Sequence, residues 1–115
     1  MNALWMGLAV LAVVVLIMKF GPGGGDRASA MAKIAQGATV VDVRTPGEYQ
    51  SGHYQGAKNI PVGELQGRLA EVGDKKQALV VYCASGMRSA QAVKILTAAG
   101  FADVTNAGGL KNLMP

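Results

Sequence analysis

The residues best suited to chemistry lie between positions 83 and 89, where a strand-like segment meets a helix-like one. They read Cys83-Ala84-Ser85-Gly86-Met87-Arg88-Ser89. The carboxyl end of a strand in an open α/β sheet is where ligands bind, and the backbone N–H groups that open the next helix attract anions. A thiol in that position is expected to have a lowered pKa and to react as the thiolate. The segment therefore predicts a nucleophilic Cys83 that faces an anionic substrate.

The remaining residues of the segment are predicted to bind the substrate. Gly86 allows a backbone conformation that other residues resist. Ala84, Ser85 and Met87 have small or flexible side chains that leave the centre of the loop open, and Arg88 adds a permanent cation with a planar set of donors. An isolated cysteine at a strand end is more often a small buried apolar residue. The surrounding loop favours the catalytic interpretation, and it needs no general base.

The elements that position this segment alternate between strand and helix patterns. Thr39–Val43 and Ala78–Tyr82 are apolar runs that predict two buried strands, and Val104-Thr105 predicts a short third one. A brief extended segment closes at Ile60-Pro61. Thr45 to Glu48 has capping-box spacing with proline at the first helical position. Helices are predicted at residues 30–36 with Ser29 as N-cap, from residue 46 to Gly52, at 64–72 and 89–99, and as a stub after Gly108-Gly109. This alternation predicts an α/β fold with a small parallel sheet flanked by helices on both faces.

Composition excludes several classes of protein. With 115 residues, 50% of them hydrophobic and 16% charged, the chain fits one small domain with an appendage rather than a disordered or multi-spanning protein. One cysteine excludes an intramolecular disulfide, and with a single histidine it argues against a zinc site. The net charge of +4 comes without a clustered basic patch, so no nucleic-acid binding is predicted.

The first twenty residues predict a membrane anchor. Ala3 to Met18 carries no charge and no proline, and residues 1–20 would span about 30 Å as a helix. Residues 21–25 then read as a flexible linker. A cleaved signal peptide is the main alternative, since Ala28-Ser29-Ala30 resembles a cleavage site, although no basic residue precedes the apolar run. A buried core helix is the remaining alternative.

The flanking charges predict how this anchor is oriented. Lys19, Arg27 and Lys33 all follow the span and nothing positive precedes it. The positive-inside tendency therefore predicts a single-pass protein of the inner (cytoplasmic) membrane with its folded domain in the cytoplasm. An unpaired cysteine also suits a reducing compartment.

Three stretches together resemble the single-domain rhodaneses, a family of sulfurtransferases. Residues 41–49 resemble the family's N-terminal signature, residues 52–61 resemble its second motif, and Cys83 to Arg88 resembles its six-residue active-site loop, followed by the usual Ser89. The resemblance covers nearly all of residues 26–115. Four residues separate Cys83 from Arg88, one fewer than in the related phosphatases, which favours the sulfur-handling branch. The C-terminal residues 111–115 depart from the pattern because they contain no tryptophan.

The resemblance implies a reaction and its participants. Cys83 would attack thiosulfate or a similar small anionic sulfur donor, and the persulfide would be held by the amides of residues 84–88. The sulfur would then pass to a thiol or to cyanide. Arg88 would neutralise the donor's second charge. No metal or organic cofactor is implied.

Residues outside the loop are predicted to have structural roles. Asp42 and Arg44 are expected to form hydrogen bonds and ion pairs that brace the loops, and Glu48 to be the capping partner of Thr45. His53 is expected to be structural or solvent-facing. Two alternatives to an enzyme remain open at this point. One is a membrane-tethered persulfide carrier that relays sulfur to a membrane protein with little turnover of its own, and the other is a scaffold that only binds.

Overall fold

The computed structural model describes residues 25–115. The helices are α1 (Arg27–Ala35), α2 (Pro46–Gln50), α3 (Val62–Leu65) and α4 (Met87–Ala98), and the strands are β1 (Thr39–Asp42), β2 (Lys58–Asn59), β3 (Leu79–Cys83) and β4 (Val104–Gly109). Two 3₁₀ turns lie at Leu69–Glu71 and Leu110–Asn112. The anchor predicted at residues 1–20 lies outside the described residues, as does its linker up to Gly24. Within residues 25–115, no helix combines the length and the apolar character needed to cross a bilayer.

The four strands form one parallel sheet in the order β2-β1-β3-β4. Strand β3 is fully buried between β1 and β4, as expected for the centre of a parallel sheet covered on both faces. The predicted fold class is therefore confirmed for the described part of the chain. The active-site segment follows directly from this central strand.

The two faces of the sheet carry separate apolar cores, because successive side chains of a strand point to opposite faces. Leu79, Val81 and Cys83 of β3 share one core with α3 and α4. Val80 and Tyr82 share the other core with α1 and the C-terminal turn. Cys83 thus points toward α4, the helix that its own loop begins.

Several boundaries differ from the sequence-based expectations. The helix predicted at 64–72 is two short pieces, α3 and a 3₁₀ turn, separated by Gly67. Helix α4 begins two residues earlier than expected, at Met87. Strand β4 extends to Gly109. The C-terminal stub is a single 3₁₀ turn whose following residue, Leu113, is 3% exposed and joins the second core.

The start of the described chain is attached to β4. The N-cap of α1 is Asp26 rather than Ser29, since the Asp26 side chain accepts a hydrogen bond from the Ser29 backbone N–H. The backbone N–H of Asp26 donates to the carbonyl of Asn106 at 2.7 Å. Gly25 lies so close to β4 that a Cβ there would be 2.4 Å from Cα of Gly108. Gly25, the last residue of the predicted linker, is therefore packed against the domain.

Candidate active site

The loop after β3 folds back over the cysteine that begins it. Cys83 is the last residue of β3, residues 84–86 form the bend, and α4 starts at Met87. Gly86 has a φ of 103°, a region that favours glycine, as its position in the sequence predicted. This conformation directs the backbone N–H of Gly86 to Sγ of Cys83 at 2.9 Å.

Hydrogen bonds around the sulfur favour its anionic form. Burial raises the pKa of the Cys83 thiol, but this is outweighed by hydrogen bonds from the Ser89 side chain and from the backbone N–H groups of Ser89, Gly86 and Ser85. The pKa of Cys83 is therefore below the ordinary thiol value. Donors aimed at the sulfur stabilise the thiolate, which is the nucleophilic form.

The sulfur lies beneath the rim of the loop. Cys83 is 0% exposed, whereas Ala84 and Ser85 are exposed and Met87 is 71% exposed. The side chains that surround the sulfur on its solvent side are therefore small or flexible, and a reagent must pass them to reach Sγ. This arrangement favours small substrates, or a reacting group at the end of a thin, extended segment of a larger molecule.

Arg88 is paired with an acidic residue from a distant part of the chain. Its two terminal nitrogens donate to the two carboxylate oxygens of Glu48 at 2.7 and 3.0 Å. Hydrogen bonding to Arg88 and to Thr45 lowers the pKa of Glu48 to about 2. Glu48 forms the predicted capping box with Thr45, but it also balances the charge of Arg88. Sequence reasoning missed this second contact because the two residues are 40 positions apart.

Ser89 joins the sulfur to a residue that was not predicted for the site. Its buried hydroxyl is 3.4 Å from Sγ of Cys83 and donates to Oδ1 of Asn106 at 2.7 Å. Asn106 also donates from Nδ2 to the carbonyl of Gly86 at 3.3 Å. An amide residue between the predicted strand Val104-Thr105 and Gly108-Gly109 was the one available signal in the sequence.

A bulge in β4 brings Asn106 to this position. Val81 pairs with Asn106 but Tyr82 pairs with Gly108, so Ala107 is an extra residue in the β4 strand. Bulges redirect side chains next to functional sites. Gly109 then passes so close to the loop that a Cβ there would be 2.5 Å from the carbonyl oxygen of Ala84.

Asp42 and Arg44 form a buried network beside the site. The Asp42 carboxylate accepts hydrogen bonds from the Arg44 side chain, the shortest at 2.7 Å, and from the Tyr82 hydroxyl at 2.7 Å. Arg44 also donates to the carbonyl of Gly52 at 2.7 Å, and its guanidinium lies 5.5 Å from the centre of the Tyr82 ring. The network connects the ends of β1 and β3 to the segment after α2.

His53 is placed against a neighbouring aromatic ring. It stacks on Tyr49 with ring centres 3.7 Å apart, and its Nδ1 lies 2.8 Å from the Tyr49 carbonyl oxygen. Its ring therefore packs on α2. Among residues 25–115, no group of three or more acidic, histidine or cysteine side chains is arranged to hold a metal ion.

Comparison with known proteins finds similar proteins that cover most of the described residues. Residues 26–113 match the family model of the rhodanese-like domain. Thiosulfate sulfurtransferase PspE of Escherichia coli (strain K12) is 49% identical over 74 residues, which cover 64% of this chain and 71% of that protein. A structure described as a rhodanese with anions from E. coli has a TM-score of 0.64 at 46% identity, covering 67% of this chain and 92% of the other. The human single-domain sulfurtransferase TSTD1 has a TM-score of 0.69 at 28% identity, covering 82% and 96% respectively.

Proposed function

The chain belongs to the rhodanese-like domain family, and from this premise we propose that it transfers a sulfane sulfur from thiosulfate, or a similar small anion, to a thiol or to cyanide. The enzyme class, a rhodanese-type sulfurtransferase, follows from its relatives. One observation carries the assignment to this chain's residues. The sulfur of Cys83 accepts the Gly86 N–H at 2.9 Å inside a loop that lowers its pKa.

The first half-reaction loads the cysteine. The Cys83 thiolate attacks the sulfane sulfur of thiosulfate, so that a bond forms between Sγ and that sulfur. The sulfur–sulfur bond of thiosulfate breaks, and its electron pair leaves with sulfite. The product is a Cys83 persulfide anion, and no oxidant or proton is consumed. The backbone N–H groups that favour the thiolate are donors for the negative outer sulfur as well.

The second half-reaction returns the enzyme to its starting state. An acceptor such as cyanide attacks the outer sulfur of the persulfide and forms a bond to it. The bond between that sulfur and Sγ breaks, and its electron pair stays on Sγ. Thiocyanate leaves and Cys83 is again a thiolate. The donors that lower the pKa of Cys83 therefore also stabilise the leaving sulfur in this step.

The mass of the intact protein tests the proposal. The full chain is incubated with thiosulfate and should gain the mass of one sulfur atom, because the chain has a single cysteine. Cys83→Ser should gain nothing, and addition of cyanide should reverse the gain in the wild type. A wild-type chain whose mass does not change with thiosulfate or with any of a panel of other sulfur donors contradicts the proposal.

A second candidate function is a persulfide carrier that exchanges sulfur with protein partners and has little turnover of its own. The Arg88–Glu48 pair favours it, because a balanced guanidinium attracts a free dianion less than an unpaired one does. Steady-state turnover separates the two candidates. A carrier loads rapidly from a protein persulfide but turns over thiosulfate and cyanide very slowly. An enzyme loads rapidly and also turns over thiosulfate and cyanide rapidly.

We also propose that residues 1–20 tether the domain to the inner membrane and that the domain lies in the cytoplasm. A membrane protein is then a possible partner. The uncharged run Ala3 to Met18 and the three following basic residues support this. The structure adds an argument against the signal peptide. Cleavage after Ala30 would cut α1 and remove the Asp26 cap, and Ala30 is itself a buried core residue.

Membrane fractionation tests the tether. The full chain should stay in the membrane pellet after an alkaline wash with residues 1–20 still attached, and the domain should be protected from protease added outside the cell. The paired change Val13→Arg and Val15→Arg is the control and should release the protein. A soluble wild-type protein, or one that begins near Met31, contradicts the tether.

A further inference from the structure

Asn106 has an orientation that its neighbours determine. The backbone N–H of Gly108, which only donates, lies 2.8 Å from Oδ1. The carbonyl of Gly86, which only accepts, lies 3.3 Å from Nδ2. If the oxygen and nitrogen of the amide were exchanged, Nδ2 would face the Gly108 N–H and Oδ1 would face the Gly86 carbonyl. Two donors would then meet at the first contact and two acceptors at the second. Oδ1 therefore faces the Ser89 hydroxyl as an acceptor.

The Ser89 hydroxyl has one hydrogen and two candidate acceptors. It lies 2.7 Å from Oδ1 of Asn106 and 3.4 Å from Sγ of Cys83. A neutral Cys83 supplies its own S–H hydrogen to the Ser89 oxygen, so the hydroxyl hydrogen remains with Asn106. A thiolate has no hydrogen to give and is a strong acceptor, so it draws the same hydrogen toward itself.

We propose that Asn106 is a positioning residue for the sulfur, because its Oδ1 competes with Sγ of Cys83 for the single hydroxyl hydrogen of Ser89. The hydroxyl points to Asn106 when the sulfur is neutral or bonded to a second sulfur, and it points to Sγ when the sulfur is a thiolate. The hydrogen turns between two acceptors, and no proton is transferred. Gly108 continues to donate to Asn106 when Ser89 turns away, which keeps Oδ1 partnered in both states.

This inference rests on the proposed function in one respect, because the persulfide forms only if the chain transfers sulfur. The hydroxyl would then donate to Sγ in the thiolate and to Asn106 in the persulfide. Its consequence is measurable without sulfur transfer. Competition by Asn106 disfavours the thiolate, so removing Oδ1 should lower the pKa of Cys83 as long as Ser89 is present. An effect through the shape of the loop would not need the Ser89 hydroxyl.

A double-mutant cycle on the thiol tests the proposal. The rate of alkylation of the full chain by iodoacetamide, measured across pH, reports Cys83 alone because no other cysteine exists. Asn106→Ala should lower the pH midpoint by about half a unit, Ser89→Ala should raise it, and Asn106→Ala added to Ser89→Ala should change nothing further. Arg88 interacts electrostatically with Cys83, and Glu48 and Arg44 interact with Arg88. None of these three charged residues is changed in any of the variants.

Asn112→Ala is the matched control. It removes another asparagine whose side chain holds the β4 bulge, through a 2.9 Å hydrogen bond from Nδ2 to the carbonyl of Ala107, and it has no contact with Ser89 among the hydrogen bonds of residues 25–115. It should reduce stability without moving the alkylation midpoint. An equal shift from Asn106→Ala with and without Ser89, or no shift at all, overturns the proposal.

The isosteric change Asn106→Asp serves if the alanine variant does not fold. A carboxylate accepts more strongly than an amide, so it should raise the midpoint, and more so with Ser89 present than in the Ser89→Ala chain. Equal increases in the two chains would show a direct effect of charge and would also overturn the proposal. Because alkylation needs no sulfur donor, a positive result stands even if the chain fails to load from thiosulfate.

Discussion

Arg88 ends the loop that begins at Cys83, yet its guanidinium is already paired with the carboxylate of Glu48. About a third of each side chain is exposed, so an incoming anion meets a cation and its counter-charge together. The site can therefore be made more attractive to anions by changing a residue that lies outside the loop.

Glu48→Gln should lower the KM for thiosulfate about fivefold at low ionic strength, which corresponds to roughly 1 kcal/mol. Glutamine keeps the capping box with Thr45 but no longer balances Arg88. Steady-state kinetics at two salt concentrations measure the effect, which added salt should reduce. Glu64→Gln, which removes a carboxylate from the Arg68 pair, is the control. A raised KM for Glu48→Gln would mean that Glu48 is needed to orient Arg88.

The lowered pKa of Cys83 fixes how the reaction depends on pH. Since the thiolate is the nucleophile, the rate of sulfite release should fall with pH through the lowered pKa of Cys83, and therefore at a lower pH than the same reaction of an ordinary thiol. Glu48 does not contribute to this decrease, because its pKa is about 2.

The same pKa makes stability depend on pH. A depressed pKa contributes stability that is complete above the pKa of the unfolded chain and is lost as the pH falls through the folded value. Alkylation of the native chain, with the urea-unfolded chain as reference, gives both values. A native midpoint at or above the unfolded one contradicts the prediction.

At the scale of elements, β4 and the active-site loop approach each other closely at Gly109. Gly109→Ala places a methyl group 2.5 Å from the Ala84 carbonyl oxygen without changing the backbone preference, since Gly109 has an ordinary φ of −86°. Backbone cannot yield as a flexible side chain does, so we expect a loss of about 1–3 kcal/mol in the free energy of unfolding and slower alkylation of Cys83.

Gly63→Ala is the control for that change. Gly63 lies in α3 and a Cβ there has no neighbour within 4 Å. Urea unfolding and the alkylation rate measure both variants. Equal stability and reactivity of Gly109→Ala and the wild type would show that the loop adjusts without cost.

The sequence predicted those elements whose cause is local. The capping box at Thr45, the left-handed Gly86 and the apolar β3 strand follow from neighbouring residue types, and all are present. The β4 bulge and the role of Asn106 were not predicted. They depend on the pairing of β3 with β4, which brings together residues from distant parts of the chain.

At the scale of the whole molecule, the Asp42–Arg44–Tyr82 network is the main buried polar feature of the described chain. Asp42→Asn leaves the Arg44 guanidinium buried beside a neutral amide, so we expect a loss of about 3–5 kcal/mol. Small domains have only about 5–15 kcal/mol of stability in total. Urea unfolding measures the loss. Glu71→Gln, in the exposed pair with Arg68, is the control and should leave the midpoint almost unchanged. A small shift for Asp42→Asn would show that the network is dispensable.

The overall architecture was predictable because it follows from patterns of polarity along the chain. Alternating strands and helices indicated a parallel sheet with two covered faces, and both cores are present. The three family-like stretches located the loop. The partners of individual charges were less predictable, since Arg88 and Tyr82 each bond a residue 40 positions away.

Under the membrane tether proposed above, the attachment of Gly25 and Asp26 to β4 would limit how far the domain can move from the bilayer. Only four residues, 21–24, separate Phe20 from the point where the chain docks beside Asn106, and they extend at most about 14 Å. The docking point is on the strand that supports the reactive loop, so the proposed tether would keep that loop within a short distance of the membrane surface. A recipient of sulfur fixed in the same bilayer would meet the persulfide at a high effective concentration, whereas one free in solution would gain nothing from the arrangement.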